Sequence, residues 1–199
     1  MELTKDLTTI VSNISLAIAA IVGVISLWQW RGELVGKAKF EVARKITLLT
    51  LQFRDDYKNA TFGPTYPEEW AERKLGDNEK PDESQILNER FARRRRFQSL
   101  QETFRKFIAT GWEAEIVLGG EDANLVKPFE VLFTDLDDAL YFVFEYVYDL
   151  SKPSKDLSGD EISRMHASQD IIYGNDSAVF SKLDSAVDNV KRQLKKYIQ

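Results

Sequence analysis

The chain has no cysteine and a single histidine, which excludes most of the residue combinations that proteins use for nucleophilic catalysis. The absence of cysteine also agrees with a reducing compartment. A Ser–His–acid set would have to use His166, and no serine lies in a sequence that resembles a nucleophile elbow. The sequence therefore predicts no catalytic residue and no cofactor.

The sequence also lacks the usual spacing of metal-binding residues. Carboxylate metal sites in helical bundles use Glu-x-x-His pairs, but Ser163 stands three residues before His166. The acidic residues Asp135, Asp137 and Asp138 point in different directions around a helix, which indicates a solvated face. We predict no metal site and interpret His166 as an ordinary exposed helical residue.

Helix-breaking residues are also few. Five prolines and ten glycines gather at a handful of positions, as expected for long helices joined by short loops. Charged residues make up 30% of the chain and aromatic residues 12%, which is typical of a folded protein and not of a disordered tail. The net charge of −5 argues against a dedicated nucleic-acid binder.

One long uncharged run stands out near the start of the chain. Leu7–Trp30 contains 24 residues without Asp, Glu, Lys, Arg, His or Pro. A helix of that length reaches roughly 36 Å, enough to cross a hydrocarbon core of about 30 Å. Trp28, Trp30 and Arg31 mark an interface at its end. We predict a retained membrane anchor over residues 1–30.

Two alternatives compete with the anchor. A buried helix of a soluble protein is one, because the first half of the run contains several polar residues, namely Thr8, Thr9, Ser12, Asn13 and Ser15. A cleaved signal peptide is the other, with Lys5 in its n-region and Ala17-Ile18-Ala19 as the cleavage site. Cleavage there would leave the apolar run Ala20–Leu27 at a new N-terminus, so the anchor is the favoured interpretation.

The flanking charges predict the orientation. On the N-terminal side, the negative charges of Glu2 and Asp6 offset the positive charges of Lys5 and the chain amine. The C-terminal side has five basic residues, Arg31, Lys37, Lys39, Arg44 and Lys45. Because positive charge stays in the cytoplasm, we predict a single-pass protein of the bacterial inner (plasma) membrane, with its N-terminus outside and residues 31–199 forming a cytoplasmic domain.

Small residues line one face of the predicted membrane helix. Ser15, Ala19 and Gly23 follow one another at intervals of four. Such spacing lets helix backbones approach closely in lipid, and the hydroxyl can form hydrogen bonds across the contact. This face predicts self-association, although short windows of small residues are common in membrane helices.

Apolar residues recur at steps of three and four through the rest of the chain, which is the helical period. The first helix is predicted to run from the membrane to about Asn59, the second over Ser84–Leu118, the third after a cap at Asp122, and later ones after caps at Ser158 and at Asp176 or Ser177. The predicted stripes are Val35, Ala38, Val42, Ile46, Leu49, Phe53 and Tyr57; Leu87, Phe91, Phe97, Leu100, Phe104, Phe107, Ile108, Trp112, Ile116 and Val117; Leu125, Phe129, Leu132, Leu136, Leu140, Val143 and Val147; and Phe180, Leu183, Val187, Val190, Leu194 and Ile198. The predicted fold class is all-α: an N-terminal transmembrane helix continuing into an elongated cytoplasmic bundle of about four helices.

The basic run Arg93-Arg94-Arg95-Arg96 is the least ordinary polar feature of the chain. Four consecutive arginines cover more than one face of a helix, so one or two must lie near the core. They can pair with acidic residues of the third helix in an interhelical network. The candidate acids are Glu130, Asp135, Asp138 and Glu145. A protein partner, or the phosphate groups of RNA or of lipids, are the other candidates for these side chains.

One membrane helix leading into a small helical bundle resembles the accessory proteins of type VI CRISPR loci. That resemblance implies a bundle like that of HEPN ribonucleases and assembly into membrane pores. HEPN ribonucleases have an arginine followed, after four to six residues, by histidine. The positions at that spacing before His166 are Gly159, Asp160 and Glu161, and Arg164 is too close. The resemblance therefore implies a copy without ribonuclease activity, and no catalytic residue is assigned.

The leading hypothesis is a non-enzymatic, membrane-anchored helical effector or interaction module of a bacterial defence or stress system. Its predicted partners are the lipid bilayer and a second copy of itself, with a pore-like oligomer as one outcome and a protein partner as another. The alternatives are a membrane-tethered, RNA-acting protein that uses Arg93–Arg96 and His166, and a scaffold or signalling adaptor.

Overall fold

A computed structural model of the chain describes residues 2–77, 79–119, 124–147 and 157–198, with side chains from residue 13 onward. These residues form six α-helices and no β-strand. The helices are α1 (Glu2–Thr61), α2 (Pro67–Trp70), α3 (Pro81–Leu118), α4 (Lys127–Tyr141), α5 (Gly159–Ile172) and α6 (Ser177–Ile198). A π-helical segment, Phe142–Val147, follows α4 directly. The predicted all-α class is confirmed.

The chain divides into two compact units, Met1–Glu41 and Val42–Gln199. The described part of the first unit consists of α1 alone, and its large apolar side chains are exposed, with Phe40 at 41% the least and Trp28 at 80% the most exposed. From Asn13 onward, α1 is long and apolar enough to cross a membrane. The compact C-terminal unit begins at Val42, whereas the domain predicted from the membrane pattern begins at residue 31.

The predicted apolar stripe of α1 is buried only within the C-terminal unit. Ile46, Phe53 and Tyr57 are fully buried, as predicted. Val35 and Ala38, the first residues of the same stripe, are both exposed. They lie in the first unit, where the described chain contains no second helix against which they could pack.

Aromatic side chains form the centre of the C-terminal unit. Phe129 of α4 meets Phe53 of α1 and Phe107 of α3 edge to face, with ring centroids 5.2 and 5.0 Å apart. The rings of Phe104 and Phe133 stack at 4.2 Å. Edge-to-face and offset rings are the favoured geometries for aromatic pairs. The core is completed by residues of the later helices, among them Leu132, Leu136, Leu140, Val143, Ile172, Leu183, Val187, Val190 and Leu194.

Helix α3 runs antiparallel to the second half of α1. The hydroxyl of Thr103 donates to Asp56 at 2.6 Å, and Lys45 pairs with Glu113 at 2.9 Å, so positions late in α3 lie beside positions early in the unit. The helix begins at Pro81 and not at the predicted Ser84, since proline fits the first helical turn.

Two of the apolar positions predicted on α3 lie outside the core. Trp112 is 67% exposed and Ile116 is 84% exposed. Helix α3 has more apolar residues than one face can bury. Its buried face contains Phe107, Thr110 and Ala114. At Gly111 a Cβ atom would lie 2.6 Å from the Val126 side chain, so glycine permits a close approach of the two segments.

The later helix ends follow the predicted signals where the structure describes them. Ser158 and Glu161 form the predicted capping box before α5. Asp176 caps α6, accepting hydrogen bonds from the backbone amides of Ala178 and Val179. The predicted cap at Asp122 lies outside the described residues. Gly174, at φ +67°, occupies the left-handed conformation between α5 and α6.

Candidate functional site

The arginine cluster, Arg90 together with Arg93–Arg96 on α3, was the leading polar candidate of the sequence. Arg93 is fully buried, Arg96 is mostly buried, and the other three are partly exposed. Each member has a partner within the chain.

Arg93 is buried, with 1% of its surface exposed, and it closes the ends of two helices. Its Nη1 atom donates to the carbonyl oxygens of Thr61 at 3.1 Å and Ile172 at 3.2 Å, and its Nη2 atom donates to that of Gly63 at 2.9 Å. The last carbonyls of a helix lack intrahelical donors and carry partial negative charge. One guanidinium therefore stabilises the C-termini of α1 and α5 at once.

The remaining surroundings of Arg93 are a ring and one carboxylate. The guanidinium lies 5.0 Å from the centroid of the Tyr173 ring and 3.7 Å from Glu89. Its Nε atom is buried and has no hydrogen-bond partner among the described residues. Burial lowers the pKa of the Arg93 guanidinium below its usual value, an effect that the charge of Glu89 opposes. These contacts place Arg93 in the structural framework of the protein.

Arg96 connects α3 to the turn that follows α1. Its Nε and Nη2 atoms donate to the two carboxylate oxygens of Glu69, each at 2.6 Å. The guanidinium also donates to the carbonyl oxygens of Phe62 at 3.2 Å and Pro64 at 2.8 Å. The hydrogen bonds from Arg96 lower the pKa of the Glu69 carboxyl group. Such a two-pronged contact is the strong geometry for an arginine–carboxylate pair.

The other three arginines form ion pairs at the surface. Arg90 hydrogen-bonds to Glu145 of the π-helical segment. Arg94 lies 3.4 Å from Asp137 and 3.7 Å from the same Glu145. The interhelical network is thus present, but Asp137 was not among the acids expected.

Two of the other expected acids, Glu130 and Asp135, have other surroundings. Glu130 pairs with Lys127 at 3.5 Å. Burial raises the pKa of the Tyr57 phenol, and the charge of Asp135 raises it further.

Arg95, the last member of the cluster, pairs with Glu72 at 3.2 Å, and 49% of the Arg95 side chain is exposed. A phosphate or a protein partner would have to compete with these intramolecular pairs, and such binding stays a prediction.

A groove lies where α1 ends. Its volume is 780 Å³, and the exposed rings of Phe62 and Tyr66 line it together with Phe180. The basic side chains at its edge are Lys58 and Arg96, each paired with a carboxylate. The lining is therefore mainly apolar, without a strong charge of one sign.

The predicted packing face of the membrane helix is fully accessible. Ser15, Ala19 and Gly23 are exposed on α1, and a Cβ atom added at Gly23 would have no neighbour within 4 Å. No described residue outside α1 belongs to the same compact unit. The face is thus available to another helix, and its use for self-association stays a prediction.

His166 is exposed on α5, as expected for an ordinary helical residue. In the part of the chain that the structure describes, no three His, Cys, Asp or Glu side chains are grouped closely enough to hold a metal ion. Neither finding points to a reaction.

Two further polar arrangements were not predicted from the sequence. The capping role of Arg93 depends on residues 30 and more positions away, so only the burial of some arginine could be foreseen. The second is the order in the connection before α3, where Arg73 donates to Glu79 at 2.9 Å and to Asn88 at 2.7 Å. This bond to Arg73, with others from Gly76 and Ser84, lowers the pKa of Glu79 to about 2.

Comparison with known proteins adds no family to this description. No protein-family model, no curated protein and no solved structure matches the chain.

Proposed function

We propose that this protein is a single-pass membrane protein whose cytoplasmic helical bundle is a non-enzymatic interaction module that associates with further copies of itself. The observation that supports it is the exposure of the apolar side chains along α1. Large aliphatic residues from Ile14 to Leu27 are between 52% and 66% exposed. Leaving one such side chain in water costs about 1.5–3 kcal/mol relative to burial.

Insertion of this segment into a lipid bilayer would take these side chains out of water and remove that cost. The exposed segment is long enough to span it, and exposed Trp28 (80%) and Trp30 (60%) stand where the uncharged run ends. Tryptophan is enriched at the boundary between lipid and water, and basic residues follow on the side that remains in the cytoplasm. The bundle would comprise the end of α1 with α3, α4, α5 and α6, and the pairing of its arginines favours a structural role for them over catalysis.

The orientation can be tested with single cysteines, since the chain has none of its own. In intact bacterial cells, Thr4→Cys is expected to react with a membrane-impermeant maleimide, whereas Ser181→Cys, exposed on α6, reacts only after lysis. Equal reactivity of the two positions in intact cells, or labelling of position 181 alone, would contradict the proposed orientation.

Self-association is expected to use the small-residue face. The double substitution Ala19→Leu and Gly23→Leu adds side chains that hold neighbouring backbones apart. We expect roughly a tenfold drop in the dimerisation constant in vesicles, corresponding to about 1.4 kcal/mol, derived from dimer fractions measured by energy transfer between labelled copies. Ala17→Leu, about 200° around the helix from Ala19, is the matched control and should leave the dimer fraction unchanged.

The same vesicles distinguish the forms of assembly. Release of an encapsulated dye by the native chain, and its loss in the Ala19→Leu/Gly23→Leu variant, would support the pore-like oligomer. A chain that is monomeric and leaves the vesicles sealed would contradict both the pore and the self-association. A role in bacterial defence, expected from the resemblance alone, remains a prediction.

A further inference from the structure

A groove runs along α1 where the uncharged segment ends. It has a volume of 840 Å³ and lies wholly within the first compact unit. We call it the α1 groove; the residues that line it include Val24, Leu27, Trp28, Arg31, Leu34 and Val35. All of them belong to one continuous helix, so the groove is formed by α1 alone.

These six residues share one side of the helix. At about 100° per residue, the other five all lie within about 60° of Arg31 around the helix axis. Leu34 and Val35, which follow the uncharged run, are about half exposed. The apolar side of α1 therefore continues past the end of that run, and Arg31 is a single charge in the middle of it.

Arg31 is exposed and has no acidic partner among the described residues. The members of the arginine cluster, in contrast, all pair with carboxylates of the chain. Glu33, the acidic residue nearest to Arg31 in the sequence, lies about 160° away around the helix. An arginine without a carboxylate can pair with a phosphate, because its planar guanidinium donates two parallel hydrogen bonds.

The depth of the groove matches the edge of a bilayer. The uncharged run ends at Trp30, where the proposed anchor meets the headgroup layer. Leu27 lies about 4.5 Å before that point, in hydrocarbon, and Leu34 lies about 6 Å beyond it, in a headgroup layer about 5–7 Å thick. Arg31 lies between them, and no other basic residue lies within five positions of it. A molecule that fills the groove must therefore combine apolar chains with an anionic group.

We infer that the α1 groove binds one anionic phospholipid of the cytoplasmic leaflet, with the phosphate on Arg31 and the apolar part of the lipid against Leu27 and Trp28. A zwitterionic phospholipid carries an ammonium group that competes with Arg31 for the phosphate, so a headgroup with a net negative charge is the better partner for this guanidinium. The inference rests on the proposed membrane anchorage and orientation, and it adds a lipid class to the partners of the chain.

The experiment titrates the full chain in a neutral detergent with phosphatidylglycerol or phosphatidylcholine and counts the bound lipids by native mass spectrometry. The first phosphatidylglycerol is expected to bind about fivefold more tightly than the first phosphatidylcholine. Arg31→Gln should remove this preference. Lys37→Gln, the matched control, removes a positive charge about 9 Å further along α1 and should leave the preference unchanged.

A second set of variants tests the apolar part of the groove at constant charge. Leu34→Gln with Val35→Gln should weaken the binding of phosphatidylglycerol about fourfold, since the substitutions make the wall of the groove polar. Phe40→Gln, at an exposed residue about 180° from Arg31 around the helix, should not. A purely electrostatic attraction to the basic end of α1 would leave both variants unaffected and would contradict the groove.

Carbonate extraction of the native chain from phospholipid vesicles separates this inference from the anchorage. If the chain resists extraction but binds the two lipids equally well, or if Lys37→Gln loses the preference as fully as Arg31→Gln, the lipid site is refuted and the anchorage stands. Equal affinities are also the expected result if a second copy of the chain covers the groove instead. If carbonate releases the native chain, the anchorage fails and the lipid site fails with it.

Discussion

Replacing Arg93 by methionine is expected to lower the free energy of unfolding by about 3–5 kcal/mol, the range found when one partner of a buried charged network is removed. Methionine fills similar space but donates no hydrogen bond, so the carbonyls of Thr61, Gly63 and Ile172 lose their donor inside the protein. In denaturation of the full chain in detergent, followed by circular dichroism, the midpoint should fall by about 10 °C.

Arg95→Met is the matched control for that substitution. Arg95 lies two residues further along the same helix, is half exposed and pairs with a Glu72 that is 73% exposed. Surface pairs of this kind contribute up to about 1 kcal/mol. Equal losses for the two variants would show that the helix ends do not depend on Arg93.

The second large effect is expected at the membrane. Val22→Arg together with Ile25→Arg places two charges of the same sign in the middle of the apolar run, where both native side chains are about half exposed. Each charge costs about 2.5–3.5 kcal/mol at the centre of a membrane helix. The combined penalty of about 6 kcal/mol should move the chain from the carbonate-resistant membrane fraction into the extractable fraction.

Val22→Leu with Ile25→Leu is the control, since it keeps the segment apolar, and it should remain in the membrane. The mass of the native chain extracted from that membrane also separates the anchor from a cleaved signal peptide. A product that has lost the residues up to Ala19 would contradict a retained anchor, as would a native chain that carbonate releases.

Much of the helical architecture could be predicted from local patterns. The stop after Leu118 coincides with Gly119 at φ +97°, and the Ser158–Glu161 capping box forms as expected, because caps and glycine turns depend on residues a few positions apart. The start of α3 was placed three residues late, and a π-helical turn after α4 was not foreseen. Proline in the first helical turn marks the start of α3, whereas no simple residue pattern marks the π-helical turn.

Which residues are buried was harder to predict than which residues form helices. Periodicity placed Trp112 and Val35 among the apolar positions of their helices, but it could not say where a neighbouring helix ends or which of two apolar faces it covers. Likewise, the run of arginines indicated that some must approach the core. Which one does so depends on the positions of Gly63 and Ile172, brought together from distant parts of the chain.

The sequence by itself determined the helical class, the uncharged segment long enough to span a bilayer, and the absence of cysteine, because these depend on residue type and on nearby spacing. Only the tertiary structure decided that Arg93 closes two helix ends, that the neighbouring arginines of the cluster pair with Glu69, Glu72, Asp137 and Glu145, and that Trp112 and Ile116 lie outside the core. Those outcomes depend on contacts between segments far apart in the sequence, and periodicity within one helix contains no information about its neighbours.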